Sequence, residues 1–281
     1  MSNSQHPVAL AIERRVGGSI RLLATVMALP LVDGIFPALI LAGALDTTGG
    51  ILQVGLLVFG GSATVAVVLA EMSEDPRSRL PAIAAFGIVL VVVASVEAAL
   101  APAIGSALDL VVFERFAALV ILAVAAATAS ARVGEILPRP AVIIALGLVA
   151  SIDPGNATLS ASVDPGLAAR GAAAAGVGVA FALLLALLAS PLRRLVDVDR
   201  FRFGSAVALG TLGLSLLDLV PGNAALAVLV VTAVLAFDPG TEPDSGVARS
   251  DDARLADGGD DDASADGDEQ GITTPERDPW M

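Results

Sequence analysis

The chain has 281 residues, 56% hydrophobic and only 16% charged, with a mean hydropathy of +0.82 and a formal net charge of −13. Soluble domains are about half apolar and a quarter charged, so the excess of Ala, Leu, Val, Ile and Gly in long runs marks membrane helices. The absence of Cys excludes disulfides and thiolate metal sites, and a single histidine, His6, outside the apolar runs excludes Ser–His dyads and histidine metal centres.

In chain order, residues 1–19 with "HPVALAIERRVGG" read as a cytoplasmic lead-in, either an amphipathic interfacial helix or an irregular segment. The first apolar run, about 20–45, holds "MALPLVDGIFPALILAG", with Asp33 between Pro30 and Pro37. A charge at membrane depth costs about 2.5–3.5 kcal/mol on insertion scales, so it normally faces a cavity or a partner. Prolines free backbone carbonyls, and carbonyls beside a carboxylate make an oxygen-rich nook suited to a cation or a proton. The competing reading is that Asp33 caps the second half of a kinked helix, since Asp-Gly before an apolar run is good N-cap chemistry.

The second run, 51–70, reads as a plain span, and the third, 80–101, carries Glu97 ahead of Pro102. A fourth covers 116–133. The fifth, 140–162, contains "SIDPGNATLS", where Asp153 and Asn156 flank the turn signal Pro154-Gly155. That break either offers two side-chain oxygens for a site or is an ordinary turn at the end of a shorter helix. Runs at 171–190, 203–220 and 223–237 complete eight. The last two are separated by "VPGN", and a tight hairpin at Pro221-Gly222-Asn223 is expected there, because one helix through both would be too long for one crossing. Asp218 and Asn223 flank this turn. With Glu97 they are candidate gate or relay groups; near span ends they read equally as interfacial acids or caps.

From Asp238 onward there are 14 acidic residues and 3 Arg, so the negative charge is concentrated in a tail, 238–281, that is expected to be disordered and cytoplasmic. Eleven of the 13 other Arg fall in alternate inter-span segments, which by the positive-inside rule places both termini in the cytoplasm. A shift of 117 lays 28–46 over 145–163 with seven identities in 19 positions. The order of features then gives two halves, 20–133 and 140–237, each of four spans and facing the same way. The expected fold is therefore an all-α integral membrane protein of eight transmembrane helices, some proline-interrupted, in two related four-helix repeats.

At "HPVALAIERRVGG" followed by "LLATVMALPLVDGIFPALILAGAL" the chain resembles an uncharacterised family of haloarchaeal multi-pass membrane proteins. The resemblance covers the body, not the tail. It implies a halophilic archaeal membrane location, in keeping with an Asp-rich, Lys-free composition and a pI of about 4.3, and brings no activity. More loosely, acids with Pro-Gly in interrupted first helices are similar to small exporters of the lysine-exporter and tellurium-resistance type, which have three spans per repeat.

The functional expectation is a secondary transporter or exporter of a small ion or solute in the cell membrane. Asp33 and Asp153, with Asn156, would bind a cation or proton, and Pro30, Pro37, Pro154, Gly155, Pro221 and Gly222 would break helices. No resident metal is specified. The alternative is a membrane scaffold or regulatory subunit whose acids are structural and whose tail binds a partner. No enzymatic activity, cofactor or nucleic-acid partner is expected: phosphate-cradling Gly-Lys loops and intramembrane aspartyl-protease motifs are absent. The bilayer and a small ion or solute are the partners implied.

Overall fold

The computed structural model of the chain describes residues 18–71, 76–153 and 163–238. Among them every regular element is helical; no strand occurs, only two isolated antiparallel bridges. The helices are α1 (Gly18–Val32), α2 (Ile35–Leu41), α3 (Thr48–Gln53), α4 (Ser62–Ala66), α5 (Leu80–Gly105), α6 (Leu110–Ala129), α7 (Ala131–Ile136), α8 (Pro140–Ala150), α9 (Pro165–Leu195), α10 (Val198–Leu216) and α11 (Ala224–Leu235). Wider π-helical turns extend α3 over Val54–Phe59 and α4 over Val67–Glu71.

Local chemistry sets several helix starts. Asp109, Asp164 and Asp197 each accept two backbone N–H bonds at the first turns of α6, α9 and α10, satisfying donors that a helix start leaves open. Pro140 and Pro165 occupy first helical positions, where the missing N–H costs nothing. Arg193 and Arg194 lie in the last turn of α9, against the negative end of its dipole.

Small residues set the packing, as in helix bundles that lack a hydrophobic drive between helices. The long helices α5 and α9 run antiparallel in close contact. A Cβ on Gly171 would lie 2.5 Å from the Cβ of Ala98, and one on Gly87 would lie 2.4 Å from Val179. α6 and α10 pair in the same manner, with α8 on α6 and α11 on α10. A Cβ on Gly147 would fall 2.6 Å from Phe116, and one on Gly204 would meet the side chain of Thr232.

Three helices, α5, α6 and α9, are long and apolar enough to cross a membrane. Two bent pairs, α1 with α2 and α3 with α4, pass the same length and composition test jointly, giving up to five. The outward faces are apolar too: Val89, Val92, Val96 and Leu100 on α5 and Val230, Val231, Val234 and Leu235 on α11 are exposed. Contiguous apolar exposure on this scale is foreign to a water-facing surface, and the helices are compatible with a membrane location.

The structure corrects four details. Run 51–70 is not a plain span: it bends by 49° at Gly60-Gly61. The fourth helix begins at Leu110 rather than 116, because Glu114 and Arg115 lie in its first turns behind the Asp109 cap. Run 140–162 loses its helix after Ala150, and residues 154–162 lie outside the described residues. Pro30 and Pro37 both lie within helices; the break they surround falls at Asp33-Gly34. Residues 1–17 of the lead-in, and all of the acidic tail after Asp238, also lie outside the described residues.

Candidate functional site

α1 ends at Val32 and α2 begins at Ile35, bent by 42° from it. Gly34 makes the turn with φ of 76°, the left-handed region that costs a residue with a Cβ about 1–2 kcal/mol. Pro37 has no N–H to offer the carbonyl four residues back, which is that of Asp33 itself, and Pro30 likewise leaves the carbonyl of Val26. The cap of α2 is Gly34, with no side-chain hydrogen bond to the helix start. The Asp33 carboxylate makes no hydrogen bond or ion pair among the described residues, so the expected capping role is not what this side chain does. It is half-buried at the turn.

The second break has different chemistry. The Gly60 N–H reaches back five residues to the carbonyl of Gly55 at 2.9 Å, closing the π-helical turns. A Cβ on Gly60 would sit 2.7 Å from the ring of Phe181, so close approach of α9 requires glycine here. After the break, the buried Thr64 donates its hydroxyl to the carbonyl of Phe59 at 2.9 Å. Tandem glycine followed by serine in an apolar run was the available sequence signal.

The two breaks converge on one crevice of about 230 Å³. Its polar lining is Asp33, Ser62, Thr64, Thr128 and Ser205; Pro140, the first residue of α8, closes one edge. Thr128 donates its hydroxyl to the carbonyl of Val124 at 2.8 Å, and its own carbonyl accepts from Arg202 Nε at 3.1 Å. Ser62 and Ser205 are buried, and their hydroxyls make no hydrogen bond among the described residues. One carboxylate with several hydroxyl oxygens in an apolar surround suits a hard monovalent cation, a proton carrier or a small polar solute. No group of three or more His, Cys, Asp or Glu side chains that could hold a metal ion occurs among the described residues.

The other expected site residues lie elsewhere. Asp153 does not line the crevice. It follows the end of α8, and its N–H donates to the carbonyl of Ala107 at 3.1 Å. Since Pro140 at the opposite end borders the crevice and α8 has 11 residues, Asp153 is displaced along that helix by about 16 Å at 1.5 Å per residue. Asn156, Pro154 and Gly155 lie outside the described residues. Glu97 sits within α5, half-buried, with Oε2 inaccessible and without a partner. Asp218, Pro221, Gly222 and Asn223 share the turn between α10 and α11, which breaks the helix as expected. Asp218 there adopts a φ of 55°, and Asn223 precedes α11 without a side-chain cap bond.

One polar residue escaped the sequence reading. Gln53, at the end of α3, is 1% exposed. Its Nε2 donates to the carbonyl of Gly222 at 2.6 Å across 169 positions of sequence, while its Oε1 is buried without a partner. A lone amide in "GGILQVGLLVFGG" was visible; its partner, a backbone carbonyl in a distant turn, was not.

Comparison with known families adds one match. Residues 90–217 match the model of a family of unknown function, DUF5794. No curated protein and no solved structure matches the chain. The matched segment runs from within α5 past the end of α10, and so contains Thr128, Pro140 and Ser205. It leaves out Asp33, Gln53 and both broken helices. The match carries no activity and no organism.

Proposed function

We propose that the chain is an integral membrane protein of eight crossings, with both termini cytoplasmic, that works as a secondary transporter or exporter of a small ion or solute. The two bent pairs, α5, α6, α8, α9, α10 and α11 would be the crossings. The observation that carries this reading is the Asp33 carboxylate: unpaired, half-buried, and lining a crevice where two interrupted helices meet. Interrupted helices place backbone and side-chain oxygens at membrane depth, and transporters put their ion and substrate sites there. In this reading Asp33 binds a cation or proton and the hydroxyls of Ser62, Thr64 and Ser205 complete its shell. Asp153 serves a separate level of the molecule, and Glu97 is a relay group. A haloarchaeal origin and kinship with three-span exporters accord with the composition and the broken first helix.

Flux into proteoliposomes across a panel of monovalent ions, protons and small polar solutes tests this. Uptake by the native chain and its loss in Asp33→Asn, with Asp153→Asn retaining a measurable rate, is the expected result. Absence of flux for every solute, or full activity of Asp33→Asn, overturns it. Deleting 243–281 should leave flux intact; a scaffold would instead lose its partner.

A further inference from the structure

Two junctions in the fold are copies of one another. Between α5 and α6, the Asp109 N–H donates to the carbonyl of Ser151 at 2.7 Å and that of Asp153 donates to Ala107 at 3.1 Å, bridging Leu108 to Ile152. Between α9 and α10, the Asp197 N–H donates to Ala236 at 2.9 Å and that of Asp238 donates to Leu195 at 2.8 Å, bridging Val196 to Phe237. In both, the aspartate then caps the next helix through Oδ1, on the N–H groups two and three residues ahead. Apart from the six-residue α7, which has no counterpart between α10 and α11, the helices around the junctions correspond in order and roughly in length: 26 and 31 residues for α5 and α9, 20 and 19 for α6 and α10, 11 and 12 for α8 and α11.

The capping aspartates stand 88 positions apart (197 less 109). The same shift carries Leu122 onto Gly210 and Ala125 onto Gly213. A Cβ on Gly213 would lie 3.0 Å from Leu122, and one on Gly210 would lie 3.7 Å from Ala125. Any antiparallel pair permits such an exchange of contacts; it is the two equivalent junctions that fix the shift at 88 and so place a two-fold axis through the α6–α10 interface. Because the paired helices run antiparallel, the axis is perpendicular to them. The broken spans obey it as well. They are consecutive, bend by 42° and 49°, and pack respectively on α5 with α6 and on α9 with α10. This register differs from the 117-residue shift, and it relates halves of opposite rather than equal orientation.

The axis gives the Asp33 crevice a counterpart. The crevice is bounded by the last turns of α6, the start of α8 and the first half of α10. Exchanging halves predicts a second cleft bounded by the last turns of α10, the start of α11 and the first half of α6. Gln53 and Gly222 lie on that side, joined by their hydrogen bond. The joint is half-satisfied, since the buried Oε1 has no partner, and a buried acceptor left unpaired weakens the state that contains it.

We propose that the chain is an inverted repeat with two exchangeable clefts, one open at Asp33 and one held shut by the Gln53–Gly222 hydrogen bond, such that opening the second closes the first. The proposal rests on the transport reading, because alternating access is what two such clefts would serve.

The chain lacks cysteine, so single thiols can be placed cleanly in the full protein in proteoliposomes. Both side chains are buried, but Ser205→Cys lines the crevice whereas Ala117→Cys, its equivalent 88 positions earlier (205 less 117), does not. With Gln53 native, a small charged methanethiosulfonate should modify the Ser205→Cys thiol at least tenfold faster than the Ala117→Cys thiol. Gln53→Leu removes the amide, and Gln53→Asn keeps it but cannot reach Gly222. Each should raise modification at 117 about tenfold and lower it at 205. Equal rates in the native background overturn the proposal without recourse to any Gln53 variant. A rise at 117 with no fall at 205 also overturns it, as does no change at either. Labelling needs no solute and flux is read on the chain with Ser205 and Ala117 native, so reciprocal labelling of the cysteine variants without flux by the native chain would sink only the transport reading. Flux without reciprocity would sink only the coupled clefts.

Discussion

The turn that carries Asp33 into the crevice can be tested through Gly34, because there backbone conformation and side-chain space separate. A Cβ at Gly34 would meet only Ile144 side-chain carbons, both at 3.6 Å, which is ordinary contact. Gly34→Ala is therefore penalised by its φ of 76° and not by crowding. The left-handed conformation costs about 1–2 kcal/mol for a residue with a Cβ, less for asparagine, whose side chain bonds locally. For a chain of this size that is a fall in melting temperature of roughly 2–8 °C, taking about 2–4 °C per kcal/mol. Thermal unfolding of purified protein in one detergent, native against Gly34→Ala and Gly34→Asn, gives the comparison. The expected order is native, then Asn, then Ala, with Asn losing less than half of what Ala loses. Equal losses for the two would mean that space, not φ, is limiting. An unchanged or raised melting temperature for Gly34→Ala would refute the left-handed turn and with it the placement of Asp33.

Gly178→Ala tests the opposite case. A Cβ there would lie 2.4 Å from the Cβ of Phe59, so α9 and the π-helical segment must separate, a misfit of about 1–3 kcal/mol, read by the same melting assay. The junction aspartates should behave as a pair: Asp109→Ala and Asp197→Ala each lose about 1 kcal/mol of cap stabilisation, measured by denaturant titration. A loss at one and none at the other would count against their equivalence.

Much of the helix layout was legible in the sequence, because hydropathy reports length and proline reports starts. The runs beginning at 80 and 140 start where expected, and the turn at 221–223 is where "VPGN" put it. The first break was legible to within a few residues, since Asp33-Gly34 lies between the two prolines that drew attention to it. The second was not. The run 51–70 reads as a plain span, and only the approach of Phe181 to Gly60 shows why the chain must open there. Asp33 was legible as an acid set in an apolar, proline-flanked run, but its separation from Asp153 was not. That depends on the Asp109 and Asp153 amides pairing two loops far apart in sequence, a backbone event with no side-chain signature.

In the proposed eight-crossing arrangement, the shortness of α8 and α11 has a consequence for the surrounding lipid. At 11 and 12 residues they are about 16–18 Å long, against a hydrocarbon layer about 30 Å thick. Both present valine and leucine outward, and as crossings they would meet acyl chains there. A bilayer seated on this protein must pinch on those flanks or let headgroups and water sink toward the turns. Membrane thickness would then act as a standing load on the two helices that border the clefts.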